Sequence, residues 1–207
     1  MRSITTERAL GIINDCAAQY AANLVDRNIM FVLGDANKAD TFEVLFTEQN
    51  YLHLTGVKTT LKSNTFFSAA ISGRLRKTDF IFAKNGTTEM KLDILPSLMN
   101  IHSTARMVGD YDNSNELLVT DKFAGTVTAA MGFVKIKTGE YVPNTALKVD
   151  VRDVTRKPQQ RIVAILRKSR LEHKYTELTY IAKGFTIGDK ILQPILDEKA
   201  DRHALIK

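Results

Sequence analysis

The sequence predicts an α+β fold in which N-terminal helices pack on an antiparallel β-sheet. Three observations predict it. Apolar residues recur at steps of three and four early in the chain, the spacing of one helix face. From about Ser103 onward the pattern changes to short strand-like runs divided by turn residues. Helical patterns gathered early and strand patterns gathered late suit a sheet covered by helices better than an alternating α/β arrangement.

The first helix is carried by Leu10, Ile13, Ala17, Tyr20 and Leu24, with Thr5 or Thr6 as its cap, Glu7 in its first turn and Asp26-Arg27-Asn28 after its end. Ile29 to Leu33 is a continuous apolar run and reads as a buried strand. Gly34-Asp35-Ala36-Asn37 supplies a turn, and Thr41 to Phe46 returns as the second strand of a hairpin. The block Tyr51-Leu52-His53-Leu54-Thr55-Gly56-Val57 follows, with His53 expected at a strand end beside a glycine. Asn64 can cap a helix over Thr65 to Leu75, whose Phe66 and Phe67 read as core. After the Lys84-Asn85-Gly86 turn, a helix from Thr87 or Thr88 runs toward Ile101, with Pro96 kinking or restarting it. Strands are expected at Arg106 to Tyr111, Glu116 to Thr120, Gly125 to Lys135, Ala146 to Val151, Arg161 to Lys168 and Tyr175 to Ala182, and a short helix after Gly188. One domain over residues 1–207 is the economical reading, with a core at about 5–182 and a tail at 183–207.

The 207 residues, 44% hydrophobic and 25% charged, suffice for one sizeable core. No apolar run approaches the roughly 20 residues that span a bilayer. Glu7 and Arg8 interrupt any apolar leader, so a soluble, cytoplasmic protein is expected. Cys16 is the only cysteine, which leaves no internal disulfide, and its apolar neighbours mark it as a small buried hydrophobe. His53, His102, His173 and His203 lie far apart with no zinc-binding spacing, and no phosphate-binding glycine loop is present, so neither a metal nor a cofactor is expected.

Charge is localised. Lys148 to Lys174 holds nine basic and three acidic residues, and nine minus three equals the +6 of the whole chain. Such a stretch attracts polyanions, nucleic acid above all, or is simply a solvated face. Lys58, Lys122, Arg152, Arg156, Arg161 and Lys174 are the candidate nucleic-acid contacts.

Three segments could hold chemistry. His53 titrates near neutral pH and can give or take a proton; a packed or solvent-facing histidine without chemistry is the alternative. Tyr141 to Arg152 combines a Pro-Asn-Thr turn with Lys148, Asp150 and Arg152, expected on one strand face, where a solvated charge ladder is the alternative. Asp121 to Thr126 reads as a polar turn presenting Lys122 or Thr126. Together they offer what metal-free RNA cleavage needs: a base for the 2′-OH, donors for the phosphate oxygens and an acid for the leaving 5′-oxygen.

These blocks also carry a family resemblance. YLHLTGV, a Phe-Phe helix, then YVPNTALKVDVRDVT followed by RIVAILRK and YTELTYI resemble the phage-associated branch of the barnase–EndoU–colicin–RelE-like nuclease superfamily, over roughly residues 5 to 182. The resemblance implies a small α+β ribonuclease, metal-independent, of the kind that serves as a toxin or phage effector, and it suggests His53 as a catalytic residue. Supporting roles for Asn144, Thr145 and Lys148 follow from their chemistry and shared block. The favoured function is cleavage of RNA, possibly tRNA, in a host cytoplasm, with an antidote or host protein as a possible partner and no membrane or small-molecule cofactor. A non-catalytic basic adaptor or inhibitor, or a virion structural domain, are the rival readings.

Overall fold

The computed structural model describes residues 4–34, 39–116 and 118–185, and the backbone of 39 and 196–201. Nine strands and five helices occur among them: α1 (Thr6–Asn23), β1 (Arg27–Gly34), β2 (Ala39–Phe46), α2 (Tyr51–Thr55), α3 (Ser63–Ile71), α4 (Thr87–Leu98), α5 (Ile101–Thr104), β3 (Met107–Asp110), β4 (Lys122–Gly125), β5 (Ala130–Lys135), β6 (Tyr141–Leu147), β7 (Gln160–Ser169), β8 (Tyr175–Ile181) and β9 (Leu196–Asp201).

The expected α+β arrangement of N-terminal helices packed on an antiparallel sheet is corrected by the strand order. Strands run β1-β2-β6-β5-β4-β3-β7, and β7 pairs back with β1, so seven strands close into a barrel. β8 and β9 extend from β7 outside that ring. Seven strands cannot alternate direction all the way round, so one junction must be parallel. That junction is β2–β6, held at Val44↔Tyr141, and every other pairing in the ring is antiparallel. The sheet was expected mostly from the second half of the chain. Instead β1 pairs with β7 over most of its length, from Arg27↔Ser169 to Leu33↔Ile162. Its continuous apolar run is explained by burial on both faces: Ile29, Phe31 and Leu33 join the main core, while Met30 and Val32 pack outward with Val163, Leu166, Tyr175 and Leu178.

Aromatic residues fill the barrel. Phe31, Phe42, Phe46 and Phe133 are buried, with Phe133 edge-on to both Phe42 (5.5 Å) and Phe46 (6.2 Å). Strand directions put the start of β1, the end of β2, the start of β3 and the end of β6 at one mouth. The helices are spliced into the chain at those ends: α1 before β1, and α2 to α5 between β2 and β3. They therefore gather at one mouth, where their apolar faces continue the barrel core.

α1 forms as expected, with Thr5 Oγ1 accepting from the Arg8 N–H at 3.2 Å and Ile13, Ala17 and Tyr20 buried. Its stripe is tied to the following segment by two tyrosines. Tyr20 donates to the Thr47 carbonyl at 3.0 Å, and Tyr51 donates to the Ile13 carbonyl at 2.6 Å. Cys16 is buried, and desolvation pushes its thiol up to about 12. Phe66 and Phe67 of α3 are core residues. Pro96 stays inside α4, which ends two residues later and restarts as α5.

Other local expectations are corrected. His53 lies on the one-turn helix α2 and not at a strand end. The alternation of Tyr51, Leu52, His53 and Leu54 is too short to separate the two periods, and Gly56 at φ +69° closes the helix from the left-handed region. Lys122 to Gly125 is strand β4 and not a turn. The Pro-Asn-Thr segment is strand β6, and residues after Leu147 leave the sheet for a 3-10 turn at Val151–Asp153, so Lys148, Asp150 and Arg152 form no strand ladder. The described residues between Glu116 and Thr120 are not strand; Leu117 lies outside the described residues. Leu196–Asp201 is a strand parallel to β8, where a terminal helix was expected. The expected Asp35-Ala36-Asn37 turn and the remainder of the tail lie outside the described residues.

Candidate active site

The Tyr51–Gly56 block is clasped against the first half of α4. Thr55 Oγ1 donates to the Leu52 carbonyl at 2.8 Å, stabilising the single turn. Thr88 Oγ1 donates to the Gly56 carbonyl at 2.6 Å and accepts from the Ala83 N–H at 2.9 Å. Lys91 Nζ donates to the His53 carbonyl at 2.7 Å. Gly56 is required twice over. Its φ is +69°, and an added Cβ would lie 2.9 Å from Lys91 Cδ and 3.2 Å from the Thr87 carbonyl oxygen. Gly56→Ala should lower stability by about 2 kcal/mol, combining left-handed strain with overpacking. A lower urea midpoint at unchanged m-value would show it, and a midpoint within error of wild type would contradict it.

This clasp leaves the His53 side chain exposed while its backbone is fixed. Partial burial, and then the charge of Lys91, hold its imidazole below the usual histidine range, so it is neutral at pH 7. Lys91 itself is buried, and desolvation lowers its ammonium to about 8. Nothing in the chain's motifs singled out Lys91. Its one signal is a lysine in phase with Thr88, Leu95 and Leu98 on the buried stripe of α4.

Lys148 also rests on α4, but on another side. Its Nζ pairs with Asp93 and its N–H donates to Met90 Sδ at 3.3 Å. At 3.6 residues per turn, the Met90–Asp93 stripe lies roughly 160° around the helix from the one bearing Thr88 and Lys91, on the far side of α4. His53 and Lys148 therefore share a support without their side chains meeting. Asn144 is the extra residue of a bulge between β5 and β6. It accepts from Thr120 Oγ1 at 2.9 Å and donates to the Val119 carbonyl. Thr145 is buried over Gly132, where a Cβ would sit 2.6 Å from its Cγ2. Asn144 thus holds Val119 and Thr120 against the barrel wall, while Thr145 packs on Gly132.

The basic candidates are dispersed. Lys122 pairs with Asp110 at the mouth opposite the helices, 5.8 Å from the Phe42 ring. Lys58 bridges to Ile81 and borders a recess of about 260 Å³ with Thr59, Thr60 and Asp79. Arg152 is held by Asp150. Arg156 and Arg161 are exposed at the start of β7, and Lys174 is exposed in the β7–β8 hairpin at its other end. Eight strand residues separate those ends by roughly 25 Å, so the charge-rich stretch forms two patches and not one face.

A second titratable cluster escaped the sequence reading because its members are distant in the chain. His102 on α5 gives its carbonyl to Thr179 Oγ1, and its Nδ1 is buried without a hydrogen-bond partner. Beside it Arg167 is clamped on Glu177 and on the Asn23 carbonyl. Burial, and then Arg167, push the His102 imidazole from 6.5 down to about 4, against an opposing pull from Glu177. The folded state prefers neutral His102. Its contribution is complete above pH 6.5 and is lost as pH falls toward 4, about 3 kcal/mol in all. His102→Gln should flatten the acid loss of stability between pH 7 and 4 in urea unfolding; an unchanged slope would contradict this.

Among the described residues, no helix is long and apolar enough to cross a membrane. No curated protein and no solved structure matches the chain significantly. The family of phage-Barnase-EndoU-ColicinE5/D-RelE like nucleases numbered 4 (PBECR4) does match, over residues 12–184. That span takes in α2 with its exposed imidazole, α4 and the whole barrel, nearly the extent over which the motif blocks resemble this superfamily. The chain belongs to this phage-associated nuclease family.

Proposed function

We propose that the protein cleaves RNA, tRNA among its possible substrates, by metal-independent acid/base chemistry centred on His53. The single observation that carries this reading is the exposed imidazole of His53 on a backbone fixed by Lys91 and the Gly56 clasp. A neutral imidazole accepts the 2′-OH proton as that oxygen bonds to phosphorus; the bond from phosphorus to the 5′-oxygen breaks, leaving a 2′,3′-cyclic phosphate, and the 5′-oxygen departs with a proton from water. Lys148, exposed beyond the far side of α4, contributes to holding the RNA backbone, as do Lys58 and the arginines leading into β7. Asn144 acts through Val119 and Thr120, which it anchors, and Thr145 through its packing on Gly132 in the same strand pair. A cytoplasmic site of action in a phage-infected host follows from an RNA substrate.

The test is cleavage of unmodified RNA and of its fully 2′-O-methylated counterpart by the purified protein, with and without EDTA. Cleavage of the unmodified RNA alone, undiminished by EDTA, is expected. Cleavage of both, or cleavage that requires added Mg²⁺, would overturn the mechanism.

A further inference from the structure

We propose that Lys91, enclosed between α2 and α4, is the cation that receives a phosphate oxygen of the bound RNA backbone at the His53 site. This rests on the RNA reading above. It moves the charge-bearing role from Lys148, where the motif had put it, to a residue outside the motif blocks.

The argument starts from an uncompensated buried charge. Lys91 keeps 7% of its surface exposed, and no carboxylate pairs with it among the described residues. A buried ammonium without a counter-charge is costly, and an apolar side chain of equal length would fill the same space without that cost. The surroundings are nonetheless shaped around lysine. Gly56 lacks the Cβ that would strike Lys91 Cδ, and Thr88 fixes the Gly56 carbonyl that borders it. One of the three ammonium donors is used, on the His53 carbonyl. An arriving phosphate oxygen would take another, supply the missing negative charge in a poorly solvated setting and restore the ammonium's basicity. It would also sit beside the residue whose imidazole is exposed. Lys148 is already neutralised by Asp93 in water, where attraction is weak. Among the described residues, the charge of Lys91 bears on the His53 imidazole. Asp93 and Lys148, on the far side of α4, cancel each other.

A purely structural lysine, capping the last carbonyls of α2, would make the same bond to His53. The two roles separate in titration. Two probes are used on the full chain, a 2′-O-methyl RNA oligonucleotide and inorganic phosphate. The Lys91 ammonium is followed by NMR, and oligonucleotide affinity by calorimetry between pH 7 and 9. Saturation with oligonucleotide should raise the Lys91 pKa from about 8, and affinity should strengthen as pH falls through that value. Lys91→Met should lose about tenfold in affinity, the worth of one charge-assisted hydrogen bond, together with the pH dependence, while Lys137→Met, in the exposed β5–β6 turn at the opposite mouth, changes affinity less than twofold. If Lys91→Met fails to fold, the wild-type titration decides alone. An unmoved Lys91 pKa in the oligonucleotide complex overturns this inference and leaves the RNA reading standing. A pKa raised by inorganic phosphate in a protein that does not bind the oligonucleotide keeps the anion site and overturns its assignment to RNA. Absence of binding by both probes overturns both.

Discussion

His53→Ala is expected to lose about a hundredfold to ten-thousandfold in RNA cleavage rate, the usual cost of removing a general acid or base. The side chain is exposed and its backbone is held by Lys91 and not by the imidazole, so stability should change by less than about 0.5 kcal/mol. Single-turnover cleavage in EDTA, beside a thermal melt, separates the two quantities. The pH dependence has a defined sign. The His53 imidazole titrates below its ordinary 6.5. If it accepts the proton, the rate should climb from acid pH, with its half-maximal point below 6.5. A rate that instead falls as pH rises through that range would make His53 the acid. An equally active, equally stable alanine variant would remove it from the mechanism and would favour the rival reading of a non-catalytic binding protein.

Phe133→Ala should cost about 3–5 kcal/mol of stability, enough to unfold many domains of this size. Phe133 is fully buried inside the barrel and meets Phe42 and Phe46 of β2, the strand beyond its neighbour β6. Removing its ring leaves a cavity that a closed wall of strands cannot collapse to fill, whereas an open sheet could relax. Urea unfolding measures the loss, with Leu171→Ala as the comparison. Leu171 is 90% exposed in the β7–β8 hairpin, and its truncation should be nearly silent. A loss under about 1 kcal/mol for Phe133→Ala would contradict the closed barrel.

Several elements were determined by the chain's own local pattern. α1 follows from an apolar stripe over four turns with a threonine cap. β7 and β8 appear where runs of branched and aromatic residues sit between turn signals. The burial of Phe66, Phe67 and Cys16 was readable from neighbours three and four residues away. The family was readable from its motif blocks, because short blocks such as the Tyr51–Val57 segment are kept together by local geometry: a one-turn helix, a left-handed glycine and hydroxyls that bond nearby carbonyls.

Only the tertiary structure decided how the strands meet. An apolar run such as β1 fits an open sheet or a closed one equally well, since the period of two reports which face is buried and not which strand lies beside it. Closure depended on β1 finding β7, more than a hundred residues away, and on the single parallel junction that an odd ring requires. The same limit applies to the candidate site. His53 was visible because it stands in a motif. Lys91 was not, since one lysine in an amphipathic helix looks solvated until α2 is laid over it. The charge-rich stretch looked like one surface because its residues are consecutive. β7 is a long, extended strand, and extension carries consecutive residues to opposite ends of the barrel.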